Sequence, residues 1–201
     1  MGLNLLSSIL DEHKSLFDES TYSKLNELTK DGIFCAAQIE EVVSDQLDLT
    51  KIESGLTTLN NSIVDLTDLI DQASKVIKAS IAKKNVSIEI KHCMPTLLFK
   101  VDHRLLLKVI INLLTNAAKF TDKGQICIET RIHEENDTNT SLSIVVSDTG
   151  IGMSKESLST LFQKFNQARE NTNKNYGGSG LGLCITKSII ELMRGKIVCF
   201  R

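Results

Sequence analysis

What this sequence has little of narrows what it can do. No run of Lys or Arg exceeds two residues and the formal net charge is −2, which argues against nucleic acid or an anionic membrane surface as a partner. The five cysteines, Cys35, Cys93, Cys127, Cys184 and Cys199, are odd in number, lie far apart and include no Cys-x-x-Cys pair. Neither a disulfide framework nor a zinc site is indicated, and most of them read as small buried residues of an intracellular protein. The apolar start MGLNLLSSIL has no basic flank, is too short to span a bilayer and meets Asp11 and Glu12 at once, which excludes a signal peptide. Leu6 stands where an N-myristoylation pattern requires Ser or Thr. Proline is absent from Leu3 to Ile52, so no proline interrupts a helix there.

What is present is the composition of a globular protein, 41% hydrophobic and 24% charged over 201 residues, enough for one domain or two small ones. In the first 52 residues apolar side chains recur at three and four: Leu3, Leu6, Ile9, Leu10, then Leu25, Leu28, Ile39, Val42, Val43, Leu47, Leu49 and Ile52. This predicts two long helices, broken within Phe17–Thr21, where DEST offers a cap, and folded back as an antiparallel hairpin. A hairpin alone leaves its apolar seam uncovered. The seam either pairs with a second copy in a four-helix bundle or packs on the rest of the chain.

SGLTTLNNS, residues 54–62, reads as a polar linker with room for a short strand, and after it the pattern turns mixed. The expected elements are a helix from Asp65 to Lys83, a strand over 86–92, a helix from His103 to Phe120, strands over 126–133 and 142–148 joined by a solvated EENDTNTS loop, a long segment from Ser154 to Tyr176, a helix from Gly182 to Arg194 and a closing strand KIVCF. The fold class is α+β: a helical hairpin, then an α/β sandwich with a mixed, mostly antiparallel sheet and helices on one face.

Three stretches carry chemistry. In NLLTNAAKF, residues 112–120, Asn112, Asn116 and Lys119 fall within an arc of about 60° on a helix. Asn is a poor helix former, so this stripe is either the solvated face of a surface helix or a site. An amide oxygen is a hard ligand suited to Mg²⁺ beside phosphate oxygens, and an ammonium neutralises phosphate charge. In DTGIG, at a strand end, Asp148 can accept a hydrogen bond from an exocyclic amine such as that of adenine, and Gly150 and Gly152 let backbone pass close to a flat ring; alone, this pattern is also that of a simple turn. GGSGLGL, residues 177–183, opens a helix, where free N–H groups favour phosphate, but it fits neither a P-loop nor a dinucleotide fingerprint.

The order of these pieces resembles the catalytic ATP-binding domain of sensor histidine kinases, within the superfamily that includes DNA gyrase, Hsp90 and MutL. NLLTNAAKFTDKG is similar to the family's N box, DTGIGM to its G1 box, LFQKFNQ (161–167) to its F box and GGSGLGLCITKSIIELMRGKI to its G2 box. LDLTKIESG, residues 47–55, resembles the end of the second dimerisation helix, and LFQKF with KIESG resembles hybrid-type kinases. The implied division is residues 1–54 as dimerisation hairpin, 55–62 as linker and 63–201 as ATP-binding domain. The resemblance implies ATP and Mg²⁺ as cofactors, with Asn116 as metal ligand, Asn112 and Lys119 on phosphates, Asp148 anchoring adenine, Gly150 and Gly152 bordering the base, Gly178, Gly180 and Gly182 by the phosphates, and Phe162–Ser179 as the ATP lid. Phe120, Phe165, Ser179 and Leu181 complete the implied nucleotide contacts.

Hydrolytic relatives carry Glu at the position of Asn112. Asn cannot act as that base, so phosphoryl transfer to a histidine is favoured over ATP hydrolysis. Two departures stand out. No string like HELRTP occurs, and His13 lacks that setting and reads as a surface histidine, so the phosphoacceptor is expected upstream or in trans. The chain stops at KIVCFR, where the family continues through further sheet, which reads as a C-terminal truncation. Expected partners are a second copy through the N-terminal helices and the receiver domain of a response regulator; the expected location is cytoplasmic, or the cytoplasmic portion of a membrane sensor. The competing reading is a catalytically silent pseudokinase that regulates by dimerisation.

Overall fold

The computed structural model describes residues 2–136, 139–166 and 179–200. The chain forms two compact units, residues 1–48 and 49–201. In the first, helix α1 (Gly2–Glu12) gives way to a 3₁₀ turn (Lys14–Leu16) and then to the long helix α2 (Glu19–Glu53). The second helix starts where DEST provides its cap: Asp18 Oδ1 accepts from the Thr21 backbone N–H at 3.0 Å, and bonding from the Thr21 side chain first and its N–H second holds the Asp18 carboxyl below its ordinary value. Tyr22 Oη donates to Asp11 Oδ1 at 2.6 Å across the break. Leu28, Phe34, Ile39, Val43 and Leu47 of the predicted apolar seam are all more than half exposed among the described residues.

The second unit begins with the end of α2. Strand β1 (Ser62–Asp65) leads into helix α3 (Leu66–Ile81), strands β2 (Asn85–Lys91) and β3 (Leu98–Val101), helix α4 (His103–Phe120), strands β4 (Lys123–Asn136) and β5 (Asn139–Asp148), the short helix α5 (Lys155–Thr160) and helix α6 (Gly182–Leu192). β1 pairs antiparallel with β3. In the other sheet β4 lies between β2, parallel to it, and β5, antiparallel to it, so the sheet is mixed as expected. The parallel β2–β4 pair needs a crossover, and α4 supplies it.

Periodicity explains the packing. The inward residues Ile126 and Ile128 of β4 are fully buried against α3 and α4, with Leu69, Ile70, Ile77, Leu106, Ile110 and Leu114 around them. The opposite sheet face is polar, with Arg131 forked onto Glu129 at 2.8 and 2.9 Å. A second apolar cluster joins Leu49 at the end of α2 to Val109 of α4 and to Leu181, Ile185 and Ile189 on or beside α6.

Four expectations are corrected. Asp65 caps α3 rather than starting it, accepting from Thr67 N at 3.0 Å, because an Asp at that point satisfies a free N–H better than it extends a helix. EENDTNTS is mostly ladder: the β4–β5 pairing runs out to Asn136↔Asn139, since the hairpin register carries the strands past their apolar part. The 154–176 segment contains α5, capped by the Ser154 hydroxyl accepting from Ser157 N at 3.1 Å. KIVCF forms no strand; it pairs with none of the described strands, and Val198 and Phe200 are exposed. No helix among the described residues is long and apolar enough to cross a membrane.

The most constrained residue in this frame is Asp102, 1% exposed. Its Oδ1 accepts from Arg104 N (3.0 Å) and Leu105 N (3.2 Å) at the start of α4, and Oδ2 accepts from Asn60 N (2.9 Å). Burial alone pushes this carboxyl up, but the N–H groups of Asn60 and Leu105, the Arg104 guanidinium and the Arg104 N–H outweigh it and hold it below the ordinary aspartate value. A depressed carboxyl contributes stability that is complete above the unfolded value and is lost as pH falls through the folded one. Asp102→Ala is expected to cost about 2 kcal/mol in a urea melt at neutral pH, and the gap from the parent chain should narrow in acid; an equal stability at neutral pH would contradict the cap.

Candidate functional site

The polar stripe of α4 faces the glycine-led start of α6. Leu106, Val109, Ile110, Leu114, Ala117 and Ala118 occupy the buried side of α4, which leaves Asn112, Asn116, Lys119 and Phe120 half-buried at its edge. Asn112 Nδ2 donates to the Thr186 hydroxyl of α6 at 2.7 Å, and Thr186 is 1% exposed. Asn116 Nδ2 leans toward Asn112 Oδ1 at 3.5 Å. Gly182 makes this approach possible: a Cβ there would stand 2.5 Å from Asn112 Oδ1. Lys119 Nζ lies 5.1 Å from the centre of the Phe120 ring.

At the other end of the stripe, about two helical turns or 12 Å along α4, lies the Asp148 loop. Asp148 Oδ1 accepts from Gly150 N at 2.9 Å, which leaves the second oxygen uncommitted among the described residues. Ile151 N donates to Phe120 O at 3.3 Å. Thr149 N donates to Gln125 O at 3.1 Å, and Gln125 N returns a bond to Thr149 Oγ1 at 2.9 Å. Gly150 has to be glycine because a Cβ would overlap the Phe120 carbonyl. Gly152 borders the same loop with φ of +70°.

Gly180, also at φ +70°, packs on the backbone of Phe165, itself at φ +58°. The Phe165 ring is 64% exposed, so the contact is made by main chain. Ser179 Oγ accepts from Leu181 N at 3.1 Å, and Leu181 is fully buried. Gly178 and residues 167–178 of the expected lid lie outside the described residues. Beside this segment Lys164 Nζ pairs with both carboxylate oxygens of Glu53, at 2.7 and 2.9 Å, which ties the F-box stretch to the end of α2.

The structure therefore sets Asn112 and Asn116 beside the Gly182 end of α6 and Phe120 beside the loop of Asp148, Gly150 and Gly152. Sequence reasoning missed Thr186, although it lies one turn after Gly182 and so on the same face of α6. It also missed Lys84, for which AKKN offers no local signal. A cavity of about 550 Å³ between β1 and α3 is lined by Asp65, Asp68, Lys75 and His103 and takes in none of the predicted site residues. Among the described residues no cluster of His, Cys, Asp or Glu is arranged for a metal; the donor present, an amide oxygen beside a phosphate-suited helix start, fits a cation that arrives with phosphates.

A helix striped with amides, an acid-led loop at a strand end and a glycine-opened helix, laid over one face of a mixed sheet, define an ATP-binding domain. Residues 101–200 match the family described as histidine kinase-, DNA gyrase B-, and HSP90-like ATPase, and the chain belongs to that family. The chain is 38% identical over 163 residues to hybrid signal transduction histidine kinase C of Dictyostelium discoideum, covering 79% of this chain and 13% of that protein. It is 34% identical to the sensor protein GacS of Pseudomonas syringae pv. syringae, over 81% of this chain and 18% of GacS. It thus spans under a fifth of either relative. Among solved structures, full-length ShkA in complex with AMPPNP superposes with a TM-score of 0.65 at 23% identity, over 87% of this chain and 34% of that one. The catalytic domain of the histidine kinase ThkA superposes at 0.53 with 26% identity, over 67% of this chain and 83% of that one.

The close approach at Gly182 is directly testable. Gly182→Ala places a methyl group against the Asn112 amide, so α6 must shift or Asn112 must leave Thr186; a loss of about 1–3 kcal/mol is expected by urea denaturation. A stability equal to that of the parent chain would show that α4 and α6 are not this close.

Proposed function

We propose that this chain is the ATP-dependent core of a protein histidine kinase, transferring the γ-phosphoryl group of Mg-ATP to a histidine supplied upstream or in trans, for onward transfer to the receiver domain of a response regulator. The observation that carries this reading is the 2.7 Å bond from Asn112 to Thr186, which sets the amide stripe of α4 against the glycine-led end of α6.

Each residue then has a role. Asp148 takes the adenine amine on its uncommitted oxygen, and Gly150 and Gly152 let the loop lie along the base. Phe120 and Phe165 flank the nucleotide, and Lys119 brings positive charge to the phosphates. Ser179, Gly180 and Gly182 lie at the start of α6, where a phosphate is favoured, and Leu181 and Gly178 are assigned to the same nucleotide contact. Asn116 offers its amide oxygen to Mg²⁺, and Asn112 orders the phosphates; when bound, the metal neutralises charge on the transferring group. The absence of an acid at position 112 leaves attacking water without a base, which supports transfer over hydrolysis.

Residues 1–54 are proposed as a dimerisation hairpin, 55–62 as the linker and 63–201 as the ATP-binding domain. The exposed Leu28, Phe34, Ile39, Val43 and Leu47 support pairing with a second copy, since an apolar seam of this extent is a contact surface.

Phosphotransfer from radiolabelled Mg-ATP to a helical fragment carrying a phosphoacceptor histidine tests the assignment. Asn116→Ala is expected to lower transfer about 100-fold or more with an unchanged circular dichroism spectrum. Undiminished transfer contradicts the role of Asn116, and no transfer by a folded parent chain shifts the reading to a silent dimerisation module.

A further inference from the structure

Helix α4 ends where its carbonyls have little access to water. Thr121 is fully buried and Ala118 is 6% exposed, and four or so terminal carbonyls need partners outside the helix. One side chain meets most of them. The Lys84 ammonium donates to Ala118 O at 2.6 Å, to Thr121 O at 3.1 Å and, more weakly, to Lys119 O at 3.4 Å, and it pairs with Asp122 at 3.4 Å. The remaining carbonyl, Phe120 O, accepts from Ile151 N. Lys84 is itself fixed in place, in the turn between α3 and β2, where its N–H donates to Ile81 O at 2.8 Å. A cation at a helix C-terminus also meets the negative end of the helix dipole.

We infer that Lys84 is a positioning residue for nucleotide binding: its ammonium fixes the turn that carries Lys119 and Phe120 and that receives the Asp148 loop. This inference rests on the nucleotide site proposed above. The link is short and physical. The carbonyls that Lys84 holds alternate along the chain with the side chains of Lys119 and Phe120, and the one carbonyl it leaves is the anchor of the loop from Asp148 to Ile151. If the ammonium is removed, the Thr121 carbonyl loses its partner in a buried place, and the turn must open to water or move. Either change displaces Lys119 and loosens the anchor of the adenine-side loop. A lysine suits this task because its three donors reach several carbonyls from one point.

The test uses the whole 201-residue chain with calorimetric titration of a non-hydrolysable Mg-ATP analogue, and amide hydrogen exchange in its absence. Lys84→Met keeps the stem and removes the donors; it is expected to bind the analogue about tenfold more weakly, the scale of a lost charged hydrogen bond, and Lys84→Arg to recover most of that loss. Exchange at the Ile151 amide should quicken, while the Leu106 amide, bonded to Asp102 O at the far end of α4, should be unchanged. A merely structural role would quicken both amides together and leave the affinity of the folded protein intact, and that result overturns the inference, as does unchanged affinity in Lys84→Met. Where Lys84→Met does not fold, Lys84→Gln is read by the same two measures. Failure of the parent chain to bind the analogue overturns the nucleotide reading itself, so the two failures are distinct.

Discussion

A helix that buries one face in the core and lines a cleft with the other has to be held at both ends, because a rotation or slide that suits the core would spoil the cleft. In α4 both ends are held by charged side chains, its own N-cap aspartate at one end and a lysine from the turn before β2 at the other. Asp102, almost fully buried, ties the first turn to Asn60, and Lys84 gathers the last carbonyls. The two clamps bracket the residues that matter: Asn112 and Asn116 lie between them, and Lys119 and Phe120 lie inside the second. Much of the rest is arranged around this helix. The β2–β4 crossover passes through it, α3 and the sheet cover its apolar face, α6 packs on it through Val109 and Ile185, and the Asp148 loop is tied to its Phe120 carbonyl.

Its polar stripe would be unstable on an isolated helix. Two asparagines and a closely approached glycine each weaken helix or packing by themselves. Here the cost is offset locally, since Asn112 bonds Thr186 and Gly182 lets α6 come near enough for that bond. The same contact joins two motifs 74 residues apart in the chain, which makes the cleft a product of tertiary packing and not of either helix alone.

Much of this was legible in the sequence, for identifiable reasons. The span of α4 was read to the residue because an apolar 3.6 period runs from His103 to Phe120, and the polar stripe stood out against it. The glycine-led helix and the acid-led turn were visible as local chemistry, and their order pointed to the family. What was not legible depended on distance. Lys84 meets Ala118 and Thr121 across more than 30 residues, with nothing in AKKN to announce it. β3 is four residues long and exists through its pairing with β1, and a short LFKV has no periodicity to display. α5 is polar and rests on its Ser154 cap. KIVCF has strand composition, but composition makes no strand without a neighbour to bond.

The polar stripe of α4, with the start of α6 and the Asp148 loop, is assigned to a nucleoside triphosphate with its metal. Calorimetric titration of the parent chain with a non-hydrolysable ATP analogue, with and without Mg²⁺, tests this assignment most directly, with circular dichroism confirming the fold. Saturable binding to one site per chain, stronger when Mg²⁺ is present, is expected. A folded chain that takes up no analogue, or binds it equally with and without the metal, would contradict the assignment of the amide stripe.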